Sequence, residues 1–236
     1  MEAPVHDKPQ FSRYAIYYTP PNGALATFGA QWLGWDIETG CAVPHPEIAG
    51  LPAPISEITA TPRKYGLHGT IKPPFRLAEG TTEDGLKAAF SDLAAQLPAV
   101  SLDGLELTRL GGFLALTIKG DQTPLANLAG SVVQQLDAFR ASPSEAELER
   151  RRKANLSPRQ EDLLMQWGYP YVMDEFRFHI TLTGRLGRKD AETTKAILAP
   201  HVAACLPTPF TVGDLTLVGE DENGMFHEIH RYTLSG

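Results

Sequence analysis

The chain has 236 residues, 42% hydrophobic and 21% charged, with a net charge of −7. That composition belongs to a globular chain with room for one substantial core, and the acidic balance argues against bulk DNA or RNA binding, which needs a basic face. Cys41 and Cys205 lie far apart in no C-x-x-C arrangement, which fits a reducing compartment without a zinc signature; with no membrane-length apolar run and no apolar core in MEAPVHDKPQ, a cytoplasmic chain with no membrane partner is expected.

Residues 1–11 read as a disordered lead-in. RYAIYYTP (Arg13 to Pro20) is aromatic and β-branched and predicts a first strand. An apolar helix is predicted from Ala24 to Trp35. Prolines at 44, 46, 52, 54 and 62 predict a long loop over Val43 to Pro62, of the kind that serves as a lid or binding segment. A strand follows at about Leu67 to Pro73, then a helix capped by Thr81 or Thr82 and ended by Pro98. Ser101 to Thr108 and Phe113 to Lys119 alternate around Gly111-Gly112 and predict a hairpin. Pro124 to Phe139 reads as a helix, and Ser142-Pro143 and Ser157-Pro158 each read as an N-cap with proline at the first helical position. A second polar strand is predicted at about Phe176 to Thr183, a helix at Lys189 to Cys205, and strands at Phe210 to Val218 and Met225 to Leu234.

Two segments share an order of strand, helix and hairpin. His68 lies 29 positions before Leu97, and His179 lies 27 before Leu206. The pattern is an internal repeat of elements, at about 65–119 and 176–234, and predicts one domain of two pseudo-symmetric lobes over 1–236.

The heads of the repeat units carry the chemistry. YGLHGTIKP puts His68, Thr70 and Lys72 on one face of a strand; FRFHITLTG puts Arg177, His179, Thr181 and Thr183 on one face, with Phe178, Ile180 and Leu182 opposite. One such ladder alone reads as a solvated sheet face. Two, each headed by His-x-Thr, place two imidazoles about a common point if the lobes face each other. Imidazole titrates near 6.5, so one ring can take a proton from a nucleophile while the other gives one to a leaving oxygen. Thr hydroxyls suit non-bridging phosphate oxygens, and no metal is required.

HGTIKP and HITLTG resemble the paired H-x-[ST]-x signatures of the two-histidine (2H) phosphoesterase superfamily, whose relatives include RNA 2′,5′-ligase-like proteins and cyclic phosphodiesterases. RYAIYYTP, TPRKYGLHGTIKPPF and YPYVMDEFRFHITLTGRL resemble the branch found with phosphonate-utilisation genes. The resemblance implies a bilobal α+β fold, two concave antiparallel sheets with outer helices and a central groove. It implies a site with no cofactor and no metal, His68 and His179 as catalytic histidines, and Thr70 and Thr181 as phosphate-binding hydroxyls. Which histidine is base and which acid stays open. The implied reaction is hydrolysis of a small cyclic phosphodiester, with a ribosyl cyclic phosphate of phosphonate breakdown as one substrate and a phosphorylated sugar or nucleotide as the partner class.

Lys72, Arg63, Tyr14, Tyr171, Arg177 and Arg185 are the candidate substrate-binding residues, with Lys64 beside Arg63 and Tyr17 beside Tyr14. ERRRK (Glu149 to Lys153) reads as a solvated helix face laced by Glu147–Arg151 and Glu149–Lys153 pairs rather than as an RNA-binding patch. RNA ends remain an alternative substrate, and a non-catalytic module that senses a phosphorylated metabolite remains an alternative function.

Overall fold

A computed structural model describes residues 10–236. Most of the expected lead-in lies outside the described residues; Phe11 packs edge-on to Tyr14, with ring centroids 6.2 Å apart.

The elements run in chain order. Strand β1 (Arg13–Tyr18) leads to α1 (Ala24–Leu33) and a small ribbon, β2 (Trp35–Asp36) with β3 (Cys41–Ala42). Helix α1 ends at Gly34, whose φ of 77° is the left-handed conformation that glycine adopts without strain. The expected proline loop is irregular to Pro54 and then turns helical, as α2 (Ile55–Ile58) and α3 (Ala60–Arg63). Next come β4 (Gly69–Phe75), α4 (Glu83–Ala94), β5 (Val100–Leu102) and the hairpin β6 (Gly104–Leu110) with β7 (Phe113–Lys119). Helices α5 (Thr123–Gln135), α6 (Glu145–Arg152) and α7 (Pro158–Trp167) precede β8 (His179–Thr181), which is shorter than predicted. Helix α8 (Arg188–Ala203), β9 (Phe210–Val212), β10 (Asp214–Glu220) and β11 (Phe226–Thr233) complete the chain.

Capping explains the helix starts. Thr82 caps α4 by accepting from Gly85 N–H. Ser157 caps α7 in a capping box with Gln160, with Pro158 at the first helical position as expected. Helix α6 starts at Ser144 rather than at Ser142-Pro143. Ser142 and Ser144 each have an acid three residues on, and it is Ser144 and Glu147 that satisfy each other's backbone N–H groups.

The fold is α+β, with one seven-stranded sheet in the order β11-β10-β1-β4-β8-β7-β6, all neighbours antiparallel. The expected two sheets are the two halves of this sheet, joined where Gly69 pairs with Ile180. Each half presents one histidine strand, but neither half is built from one repeat unit alone. The hairpin β6–β7 follows the His68 strand in sequence yet borders β8, and β10–β11 follows the His179 strand yet borders β1 beside β4. The halves have exchanged hairpins.

The main core gathers Ile16, Tyr18, Phe178, Ile180 and Leu182 of the sheet region with Trp32 of α1, Phe90 of α4, Val132 of α5 and Leu198 of α8. Trp32 reaches β8's end by donating its indole N–H to Leu182 C=O at 2.8 Å. Among the described residues no helix is long and apolar enough to cross a membrane.

At the seam, a Cβ on Gly69 would overlap the ring of Phe178. Gly69→Ala is therefore expected to push β4 and β8 apart and to destabilise the fold by about 1–3 kcal/mol, as overpacked cores do. Chemical denaturation of the two proteins measures it as a lower midpoint at similar slope.

Candidate active site

Side-chain parity builds the site. In β1, Tyr14, Ile16 and Tyr18 join the main core, while Arg13 and Tyr17 face the opposite side. Tyr17 pairs with Thr70 and Tyr18 with Gly69, so Thr70 and His68 share Tyr17's side. Across the seam Gly69 opposes Ile180. One step either way puts His68 opposite Thr181 and Thr70 opposite His179. The two motifs thus cross, each histidine facing the other motif's threonine. Directly opposed Cβ atoms lie about 5 Å apart and the His68–His179 diagonal about 7–8 Å, which spans a phosphate group with a hydrogen bond on either flank.

Both imidazoles are held alike. His68 Nδ1–H donates to Gly66 C=O at 3.0 Å, and His179 Nδ1–H donates to Arg177 C=O at 2.8 Å. A carbonyl can only accept, so each Nδ1 carries the hydrogen and each Nε2 is left for chemistry. Among the described residues neither Nε2 has a partner, nor do the Thr70 and Thr181 hydroxyls. Tyr17, almost fully buried, lies under His68 with ring centroids 4.1 Å apart, and Phe113 flanks His179 at 6.0 Å. Burial lowers the His68 pKa to about 4; the carbonyl of Gly66 opposes that shift and the nearby His179 adds to it.

Two adjoining cavities open on this face. One, of about 240 Å³, is lined by Arg13, Tyr17, Thr61, Tyr65, His68, Thr70, Arg151, Tyr169 and Thr181. The other, of about 270 Å³, is lined by Thr70, Leu110, Tyr169, Tyr171, Glu175, Arg177 and His179. Thr70, Pro73 and Tyr169 belong to both, so they form one cleft with a histidine in each half.

His68, Thr70, His179, Thr181, Tyr171 and Arg177 therefore line the cleft together. Arg177 sits at its rim, its guanidinium donating to Asp174 and Phe176 carbonyls. Other expected residues lie elsewhere. Lys72 is buried on the core side, donating to Val133 C=O at 3.0 Å and lying 3.6 Å from Asp137. The pairing with β1 shifts between Thr70 and Lys72, and such a bulge turns the next side chain to the other face. Burial lowers the Lys72 pKa to about 8, against the pull of Asp137. Tyr14 is also on the core side, its hydroxyl 3.0 Å from Glu83. Arg63 braces the loop, donating to Leu33 C=O at 2.9 Å and to Ser56 C=O. Lys64 lies over the Tyr65 ring. Thr183, expected on the polar face, is buried and caps β7 by accepting from Leu114 N–H, because β8 ends at Thr181. Arg185 lies beside Gly112 at the hairpin turn, outside both cavities.

Among the lining residues that escaped the sequence reading are Arg13, Tyr65, Arg151 and Tyr169. Arg151 comes from the ERRRK stretch taken as a solvated face. Glu147, its expected partner, is engaged by Arg76 at 3.0 Å, and Arg151 instead lies over the Tyr169 ring at 4.5 Å. Helix α7 delivers that tyrosine by stopping at Gly168.

Residues 70–227 match the family described as "Protein of unknown function (DUF1045)". The chain belongs to the DUF1045 family. It is 38% identical over 232 residues to the "Ribose 1,5-bisphosphate phosphokinase PhnN" of Janthinobacterium sp. (strain Marseille), covering 95% of this chain and 51% of that one. It is 35% identical over 213 residues to the protein of the same name from Laribacter hongkongensis (strain HLHK9), covering 90% and 49%. This DUF1045 chain spans about half the length of those relatives. Among solved structures it is similar to "Crystal structure of phosphoesterase" (18% identity, TM-score 0.42) and "Crystal structure of E.coli LigT complexed with 3'-AMP" (16%, TM-score 0.42), covering 96% of this chain and 100% of each.

His68 also links pH to stability. Its pKa is lower in the folded than in the unfolded chain, so the unfolded chain binds the proton first. The contribution to stability is complete above about pH 6.5 and is lost as pH falls through about 4. His68→Gln is expected to flatten the stability profile between pH 6.5 and 4 by up to about 3 kcal/mol, read from denaturation midpoints of both proteins across that window.

Proposed function

We propose that this chain is a metal-independent phosphoesterase that opens a small cyclic phosphodiester, with His68 and His179 as the acid–base pair and Thr70 and Thr181 holding the non-bridging oxygens. The observation that carries this reading is the crossed register: two imidazoles with identical Nδ1 anchors and free Nε2 atoms, diagonal across two free hydroxyls.

The low pKa of His68 supports a role for that ring as base. His68, held neutral, accepts the proton of the attacking water at Nε2. His179 donates from Nε2 to the leaving oxygen as its P–O bond breaks, and proton exchange with solvent then restores both rings. The phosphodiester anion, lying between them, favours the protonated form of each ring and draws the low His68 value upward in the complex. Acid–base help of this kind is worth about 10²–10⁴ in rate, and Arg177 at the rim and Arg151 beside Tyr169 add positive charge where the pentavalent phosphorus gains negative charge.

The relatives' printed name concerns a phosphorylated ribose, which supports a ribosyl cyclic phosphate as substrate. No G-x-x-x-x-G-K-[ST] loop occurs in this sequence, so the phosphokinase activity in that name is not proposed for it.

The test is hydrolysis in EDTA of ribose 1,2-cyclic phosphate 5-phosphate and of nucleoside 2′,3′-cyclic phosphates. His68→Ala and His179→Ala are each expected to lower kcat/KM by at least about 10², while Lys72→Met, altered on the core side of the sheet, stays within about threefold. Turnover indifferent to both histidines, or abolished by EDTA, refutes the proposal. The pH profile gives a second check. The acid limb of kcat/KM, which reports the free protein, is expected near pH 4, with the limb of kcat at higher pH because bound anion favours protonated His68.

A further inference from the structure

A third, smaller cavity adjoins the cleft on the side away from His179. It measures about 40 Å³ and shares Arg13, Pro74 and Arg151 with the His68 cavity. Five arginines line it, Arg13, Arg76, Arg140, Arg150 and Arg151, against one acid, Glu147. On a chain of net charge −7, this is a concentration of positive charge at one end of the proposed active site.

The ion pairs show what is already neutralised. Arg13 is held by Glu220 in a two-pronged pair, Arg76 by Glu147, and Arg140 by Asp137 at 2.7 Å. Among the described residues Arg150 and Arg151 have no carboxylate within salt-bridge distance. Two guanidinium charges therefore remain, one from Arg150 at the outer edge and one from Arg151 on the wall common to both cavities. Two uncompensated charges match a phosphate monoester, which carries about −1.5 to −2 at neutral pH, better than a carboxylate. Guanidinium forks are also suited to bidentate contact with phosphate oxygens. The volume decides the size of the group: at 10–15 Å³ per water, about 40 Å³ holds roughly three waters, room for one tetrahedral oxyanion and too little for a sugar ring or base.

We infer that this arginine-lined cavity is a second phosphate subsite, and that the substrate carries a terminal phosphate monoester in addition to the phosphodiester opened between His68 and His179. The inference rests on the proposed phosphoesterase reading, and it selects among phosphodiesters those with a second, unreacting phosphate. Binding at that remote group positions the reacting one, which is how distant contacts contribute to the rate.

Titration calorimetry tests it with two matched pairs of probes: adenosine 3′-monophosphate against adenosine 3′,5′-bisphosphate, and ribose 1-phosphate against ribose 1,5-bisphosphate. At least one bisphosphate is expected to bind about 10-fold or more tighter than its monophosphate, as a charge-assisted contact provides. Arg150→Gln should shrink that ratio severalfold. Lys153→Gln, which removes an exposed cation just beyond the same helix, should leave it unchanged. Equal affinities within both pairs overturn the inference, and so does a ratio that shrinks equally in Lys153→Gln, since that reports only the field of the helix. Which pair shows the ratio tells a nucleotide from a sugar carrier. If the ratio stands and no cyclic phosphodiester is hydrolysed, the phosphoesterase reading fails while the subsite remains.

Discussion

The pairing of Gly69 with Ile180 is the constraint on which the cleft depends. Strand side chains alternate, so this one register decides the face of every residue near it. It sends Ile180 and Phe178 into the core and His68, Thr70, His179 and Thr181 into the cleft. A slip by one residue would bury polar side chains without partners, at a cost of about 1–3 kcal/mol each, and expose apolar ones worth about 1.5–3 kcal/mol each when buried. The missing side chain at Gly69 is what lets Phe178 lie against the strand at this point. Two residues on, the bulge in β4 ends the polar run and returns Lys72 to the core. The polar run of β4 therefore straddles a glycine, with His68 and Thr70 on either side of it, and ends in sequence at a bulge.

Local electrostatics run against the overall charge. The chain is acidic, yet the cleft and its side cavity gather arginines, each anchored to an acid, a carbonyl or an aromatic ring except at the edge. Arg13 is held by Glu220, Arg177 by two backbone carbonyls, and Arg151 by the face of Tyr169. Anchored guanidiniums lose little freedom when an anion arrives, so more of the attraction is available for binding. The histidines follow the same rule with hydrogen bonds in place of ion pairs. Each Nδ1 is committed to a carbonyl two residues back, which fixes the ring and leaves Nε2 as its one reactive nitrogen.

The catalytic candidates were legible because their signal is local. His-x-Thr at two matched places needs only period-two alternation to put each pair on one face. The β6–β7 hairpin and the Thr82 and Ser157 caps were legible for the same reason. Lys72 was misplaced because a bulge breaks the alternation, and no residue in GTIKPP announces where the extra residue falls. Tyr14 and Tyr17 could not be told apart from RYAIYY alone; the partner strand's register chooses between them. Arg151 was read as solvated because a charged helix has the same local sequence whether it faces water or an aromatic ring supplied eighteen residues later. The start of α6 was ambiguous in the sequence, since Ser142 and Ser144 each begin an S-x-x-E stretch.

The exchange of hairpins changes what the internal repeat means. Had each unit formed its own half, the two halves could close or drift apart about the cleft, each keeping its histidine. Instead the His68 strand is bordered by β1 and, beyond it, by the hairpin of the second unit, while the His179 strand is bordered by the hairpin of the first. β8 has only three residues, and its backbone is held by β7 on one side and β4 on the other. Neither histidine strand therefore has its full set of neighbours until segments from both units are in place, and long loops must close before any of those contacts form. Assembly of the cleft and completion of the sheet are in this sense a single event. The same wiring ties the two halves together: a motion that separated His68 from Thr181 would have to break the sheet where Gly69 pairs with Ile180, and the chain crosses that seam twice, between β4 and β6 and between β8 and β10. Adjustment to a ligand is left to the parts that are not in the sheet, the α6–α7 segment with Arg151, and Tyr169 and Tyr171 beyond it, all of which line the cleft.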